Sequence, residues 1–100
     1  MEKKKARMVM SALSQETRLA VFLLLIKAGE AGMSAGTISD TTKTSPTAMS
    51  AHLTVLAQAG LVKSKKVGRN VIYRAMPKVA QELSNFLMTL TTSPFNKTSA

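Results

Sequence analysis

Two groups of side chains in this chain have types and spacings suited to binding. The first is a set of small hydroxyls, Ser45, Thr47, Ser50 and Thr54, with Ala51 among them and Lys43 just ahead. Such hydroxyls hydrogen-bond phosphate oxygens or several base edges, and an alanine or a threonine methyl fits the methyl of thymine. The second group is basic: Lys63, Lys65, Lys66, Arg69 and Arg74 place 5 of the chain's 14 lysines and arginines within residues 63–74. A guanidinium at Arg69, between two β-prone segments, suits a narrow minor groove. The same lysines would also guard an exposed strand edge against aggregation. Residues 45–59 carry neither Arg nor Lys, so the commonest guanine contact is missing from them. Phosphate positioning is therefore expected from Lys43, Ser45 and Thr47, base readout from Thr47, Ser50 and Ala51, and part of any preference from DNA shape. Gln58, at the far end, is expected to be solvated.

Bond-making chemistry has little to work with. There is no cysteine, which removes disulfides, thiolate metal sites and thiol redox sensing. No nucleophile–base pair, metal-ligand cluster or phosphate loop occurs, so no enzyme, cofactor or metal is expected. The lone histidine, His52, sits about sixty degrees off the apolar stripe of its helix. Two readings stand side by side: a boundary residue whose nitrogen finds a backbone partner, and a phosphate or base contact. The seven methionines read as core filler.

The segment that must carry the hydroxyls is residues 45–62, S-P-T-A-M-S-A-H-L-T-V-L-A-Q-A-G-L-V. Ser45 can cap a helix start, and Pro46 fits the first helical position, which needs no donor. Met49, Leu53 and Leu56 make one apolar stripe, Thr47, Ala51, Thr54 and Gln58 the opposite face. Gly60 can end the helix in the left-handed conformation, with Leu61 folding back onto Leu56. One face is apolar; the other is small, polar and free of acid.

Four further helices are expected. The first spans residues 6–13 behind a basic, frayed, solvated residues 1–7, with a supplementary phosphate grip as the minor alternative. The second, 16–28, is capped at residues 14–17 and apolar nearly all round, so it should be the most buried, with Arg18 and Lys27 at its wet ends. A short third, 35–41, is capped by Ser34 and turns Met33 and Ile38 inward. The last follows Pro77 over residues 78–90, with Val79, Leu83, Phe86, Leu87 and Leu90 at helical spacing. Between the fourth and last helices, residues 62–67 and 70–75 are β-prone and Gly68-Arg69 suits a tight hairpin, with Tyr73 facing the core. Residues 91–100 read as a disordered tail.

The order α-α-α-α-β-β-α makes the chain mainly α, an α+β winged helix with a two-stranded hairpin wing, in one domain over residues 1–100. A chain this short has a modest core, and a second copy would bury more apolar surface. The net charge is +9 and the pI near 10.4, which points to a polyanion, double-stranded DNA before an anionic membrane. No helix has the basic polar face a membrane surface requires. The longest apolar run, residues 19–26, has eight residues, too few to span a bilayer, and no signal-peptide pattern precedes it, so the cytoplasm is the expected location.

Several motifs, in order, resemble the ArsR/SmtB family of small bacterial winged-helix transcriptional repressors. They are L-S-Q-E-T-R-L at 13–19, S-P-T-A-M-S-A-H-L at 45–53, A-G-L-V at 59–62 and G-R-N-V-I-Y at 68–73. The resemblance covers residues 8–90. It implies a homodimer joined through helices near 6–13 and 78–90 that binds a palindromic operator and leaves it when an inducer binds. It places Ser45, Thr47, Ser50 and His52 in the recognition helix and Arg69 in the wing. Many relatives sense metal or arsenite through cysteines or Asp/His/Glu sites; here the third and last helices lack thiolates, and Asp40, His52 and Glu82 fall at no ligand spacing. The inducer then has another chemistry, or control is by amount alone. A winged-helix protein-interaction module or anti-repressor is the alternative function.

Overall fold

Caps and turns set the elements. The computed structural model describes residues 1–91, in which α1 is Lys3–Leu13, α2 Glu16–Ala28, α3 Ala35–Thr42, α4 Pro46–Gln58 and α5 Pro77–Thr91. A three-residue turn of 3₁₀ helix, Gly29–Ala31, follows α2. Three strands complete the fold: β1 Met33–Ser34, β2 Val62–Val67 and β3 Asn70–Ala75. The expected tail, 91–100, lies outside the described residues except for Thr91, the last residue of α5. Among the described residues, no single helix is long and apolar enough to cross a membrane.

α4 begins and ends as its sequence dictates. Ser45 accepts a hydrogen bond from the Ala48 N–H through its hydroxyl, and Pro46 occupies the first turn. At the other end Leu61 N–H donates to Leu56 O and Gly60 N–H to Ala57 O, both at 3.0 Å. With Gly60 at φ +78° this is the Schellman arrangement, and both Leu56 and Leu61 are completely buried. Ser34 caps α3 by accepting from Thr37 N–H. At α2 the cap is Gln15, which accepts from Arg18 N–H at 2.8 Å, while Ser14 turns its hydroxyl back to Ser11 O.

The core lies behind α4. Met49, Leu53 and Leu56 pack with Val9 and Ala12 of α1, Val21, Phe22 and Leu25 of α2, and Ile38 of α3. Tyr73 and Met33 pack against this cluster from the sheet, as their sequence positions suggested.

Four expectations need correction. The wing is part of a three-stranded antiparallel sheet, ordered β1-β3-β2, because Met33 and Ser34 pair with Tyr73 and Ile72. Two residues are too few to show a period, and Gly32 beside them has positive φ in contact so close to β3 that a Cβ would meet Tyr73 O at 2.5 Å. α1 starts at Lys3, not Ala6, since Ala6 and Val9 are drawn into the core. α2 is not buried on all sides: Leu19, Leu23 and Ile26 are 41%, 57% and 40% exposed, because one small core covers only one face. Arg18 is not at a wet end; it is half-buried and bonded to α1 and α4.

Lys43, in the α3–α4 turn, has φ +53°, a left-handed conformation that costs a side-chain-bearing residue about 1–2 kcal/mol. Glycine removes that strain but loses about 0.5–1 kcal/mol of chain entropy on folding. Lys43→Gly should therefore leave the protein unchanged or up to about 1.5 kcal/mol more stable in chemical denaturation. A clear loss of stability would mean that Lys43 holds this turn by contacts of its own.

Candidate nucleic-acid interface

The outer face of α4 is built from small groups. Pro46, Thr47, Ser50, Ala51 and Thr54 line one shallow, open surface, and Thr47, Ser50, Ala51 and Thr54 are all exposed. Gln58, a long side chain on the same face, is exposed at the far end of the helix. The hydroxyls are not equivalent. Thr54 Oγ1 donates to Ser50 O at 2.9 Å, so towards an outside group it can only accept, while its methyl stays available. Ser45 accepts from Ala48 N–H, and its own O–H remains to donate. Lys43 and Ser45, both exposed, bracket the helix start, where unpaired N–H groups and the helix dipole favour an anion.

The wing stands beside this helix. Gly68 and Arg69 form a two-residue link with φ +61° at Gly68 and no positive φ at Arg69, the pattern of a II′ turn, and Val67 pairs with Asn70. Lys63, Lys65, Lys66 and Arg69 are all exposed. The pairing Lys63↔Arg74, Lys65↔Ile72 and Lys66↔Val71 sets their directions. Alternation puts Lys63 and Lys65 on one face of the ribbon and Lys66 on the other, with Arg69 at the tip. A basic run in sequence thus becomes two faces and a tip. Arg74 leaves the group: its guanidinium pairs with Glu30 at 3.0 Å, at the base of the wing.

Charge reinforces shape. Residues 41–81 contain seven lysines and arginines and no acid, so α4 and the wing themselves carry no side chain that repels a polyanion. The five acidic residues lie outside that stretch. Among the described residues no three His, Asp or Glu side chains come together as a metal site.

His52 is half-buried, and its partner is a side chain where a backbone group had been expected: Nδ1 lies 3.3 Å from an Arg18 guanidinium nitrogen. Arg18 was missed as a site neighbour because it precedes His52 by 34 residues and lies in the most apolar helix.

The comparisons agree with this geometry. Residues 13–65, from the end of α1 to the middle of β2, match the model of a helix-turn-helix domain family. An ArsR-like transcriptional regulator from Rhodococcus sp. RHA1 superposes with a TM-score of 0.77 at 33% identity, over 87% of this chain and 79% of that one. The chain belongs to the ArsR-like winged helix-turn-helix transcriptional regulators. Another structure, the homodimeric winged helix-turn-helix DNA-binding domain Mb0332 from Mycobacterium bovis, superposes at 0.71 with 25% identity, over 87% and 79% of the two chains. The HTH-type transcriptional regulator YbzH of Bacillus subtilis is 29% identical and spans 81% of this chain and 93% of its own length. An ArsR-like regulator with this fold is a DNA-binding transcription regulator, and the matched segment contains α3 and α4, two helices joined by the short turn of residues 43–45.

The cap on α4 has a measurable contribution. Ser45→Ala should cost about 1 kcal/mol in chemical denaturation, the usual effect of removing an N-cap hydroxyl. An unchanged midpoint would mean that the Ser45 bond to Ala48 is not formed in solution.

Proposed function

We propose that this ArsR-like regulator is a homodimeric repressor in the bacterial cytoplasm, binding a palindromic operator through α4 and the wing, with residues 1–100 acting as one binding unit. The observation that carries the reading is the pairing of an acid-free, small-residue helix face with an exposed basic ribbon. In this reading Lys43, Ser45 and Thr47 hold phosphates at the start of α4. Thr47, Ser50, Ala51 and Thr54 meet base edges, and Thr54, as an acceptor, takes an adenine or cytosine amino group. His52 adds a contact from the flank of the helix. Lys63 and Lys65 approach the backbone from one face of the wing, Lys66 from the other, and Arg69 enters the minor groove.

Self-association is supported by apolar surface on the two helices expected to pair. In α1, Met8 and Met10 are exposed; in α5 no described residue is buried, and Leu87 is 40% exposed. The relative from Mycobacterium bovis is a homodimer. Two copies would then present two α4 helices to half-sites about one helical turn apart. Repression requires nothing beyond occupying the operator. The exposed stripe of Leu19, Leu23 and Ile26 on α2 keeps the protein-interaction module as the second reading.

Titration of duplex DNA over a range of salt separates the two readings. The DNA reading expects log affinity to fall linearly with log salt, by about 0.9 per neutralised phosphate. Arg69→Ala should weaken binding to all sequences and reduce the slope by about 1, whereas changes at Thr47 or Ser50 should alter preference among sequences. Affinity independent of salt would contradict it. Leu87→Glu should convert the dimer to monomer in sedimentation; a dimer that survives the charge would remove α5 from the interface.

A further inference from the structure

We propose that the cleft between the end of α2 and the junction of β3 with α5 is an effector site for a small organic anion; the effector role rests on the DNA-binding reading, the site does not. The cleft measures about 390 Å³, at the small end of the roughly 300–1,000 Å³ usual for ligand sites. Its walls are apolar: Leu25 and Ile26 come from α2, and Ala75, Met76 and Pro77 from the chain that leaves the sheet. Leu25 is completely buried and Ile26 is 40% exposed, so the floor belongs to the core and the rim is open. The mouth opens beside Gly29, where nothing lies within 4 Å of the place a Cβ would take.

The charged groups of the cleft are Arg74 and Glu30, paired at 3.0 Å. They are not equally fixed. The Arg74 side chain is 40% exposed and that of Glu30 96%, so Arg74 lies against the protein while Glu30 stands in water. An exposed pair of this kind contributes little, and Glu30 returns to solvent at small cost when another carboxylate takes its place. A carboxylate carried on an apolar body gains more from Arg74 than Glu30 does, because the body leaves water as the charge pairs. The guanidinium can hold such a carboxylate through two parallel N–H groups. A cation would have only the solvated Glu30 and would be repelled by Arg74. The occupant so defined is a small aromatic or branched aliphatic carboxylate, a chemistry that needs no thiolate or metal ligand. The place suits an effector. Arg74 belongs to β3 of the wing, Pro77 begins α5, and Met76 N–H donates to Leu61 O at 2.8 Å, just past the end of α4. An occupant touching Arg74 and Met76 therefore bears on the wing, on α5 and on the anchor of α4 together.

Amide NMR of the free protein, titrated with naphthalene-2-carboxylate, tests the site. Saturable shifts are expected at residues 25–30 and 74–76. Shifts confined to other residues, or none that saturate, overturn the proposal. So would the same shifts on diluting the protein without the probe, which would show a second copy filling the cleft. The neutral carboxamide of the same ring should bind about tenfold more weakly, and equal binding would overturn the role of charge and the proposal with it. Substituting the two ends of the ion pair should have opposite effects. Arg74→Gln should weaken the carboxylate about tenfold and abolish its advantage over the carboxamide, whereas Glu30→Gln should strengthen it roughly two- to fivefold. A pair that mattered only to the fold would move both variants the same way, and that result would overturn the proposal. Each variant is melted first, and the comparison of acid with amide, made on the unaltered protein, stays decisive if a variant unfolds. At fixed ionic strength, saturating carboxylate should change duplex affinity at least about fivefold, and duplex should change carboxylate affinity by the same factor. An unchanged affinity would overturn the effector role. An unaltered protein that binds no duplex would instead bring down the DNA reading and the effector role with it, while the site stands or falls by the titrations of the free protein.

Discussion

A helix can present one face to a groove only if its other face is immobilised, and that hold on α4 is the constraint on which the rest of this structure depends. Met49, Leu53 and Leu56 are at most 1% exposed, so the side chains of α1, α2 and α3 exist, in physical terms, to grip this stripe. Both ends are fastened too. Ser45 and Pro46 fix where the helix begins, and the paired bonds of Gly60 and Leu61 fix where it stops and direct the chain into β2. The wing inherits its position from that second fastening. Loosening the stripe would therefore disturb the outer face of α4 and the wing together.

The outer surfaces follow a different logic. α4 shows small, uncharged groups, so close approach is easy but ionic attraction is weak. The wing has the charge but little burial; every residue of β2 after Val62 is exposed. Charge and small hydroxyls are thus divided between two adjacent elements, with Arg74 held in an ion pair to Glu30 where the wing meets the body of the protein. Such an exposed pair contributes little stability. Its consequence is to remove one cation from the set facing outward.

α4 was legible in the sequence because its signals are local: a cap, a proline, a stripe with helical spacing and a terminal glycine all lie within residues 45–62. The hairpin was legible for the same reason, through Gly68-Arg69 between two β-prone segments. What escaped was non-local or double-sided. β1 is two residues long and exists only because β3, about forty residues later, completes its hydrogen bonds. The burial of α2 could not be read because an apolar helix of this kind has no period to show which face is covered, and Leu19, Leu23 and Ile26 are left outside. Lysines at 63, 65 and 66 look like one patch until the strand register divides them between two faces. Arg18 and His52 meet only through the packing of α2 on α4, and neither residue type announces the other. Lys43 takes a conformation that its side chain disfavours, which propensity alone would have assigned to glycine.

The proposed function is that of a dimer that reads two half-sites of one operator. Selection from a pool of random duplexes, sequenced after rounds at two salt concentrations, tests that most directly. A palindrome enriched at both, with half-sites about one helical turn apart, is the predicted result. Tight binding with no enrichment would contradict it, leaving a basic protein that coats DNA through its backbone, and an absence of binding at either salt would turn attention to the exposed apolar face of α2 and a protein partner.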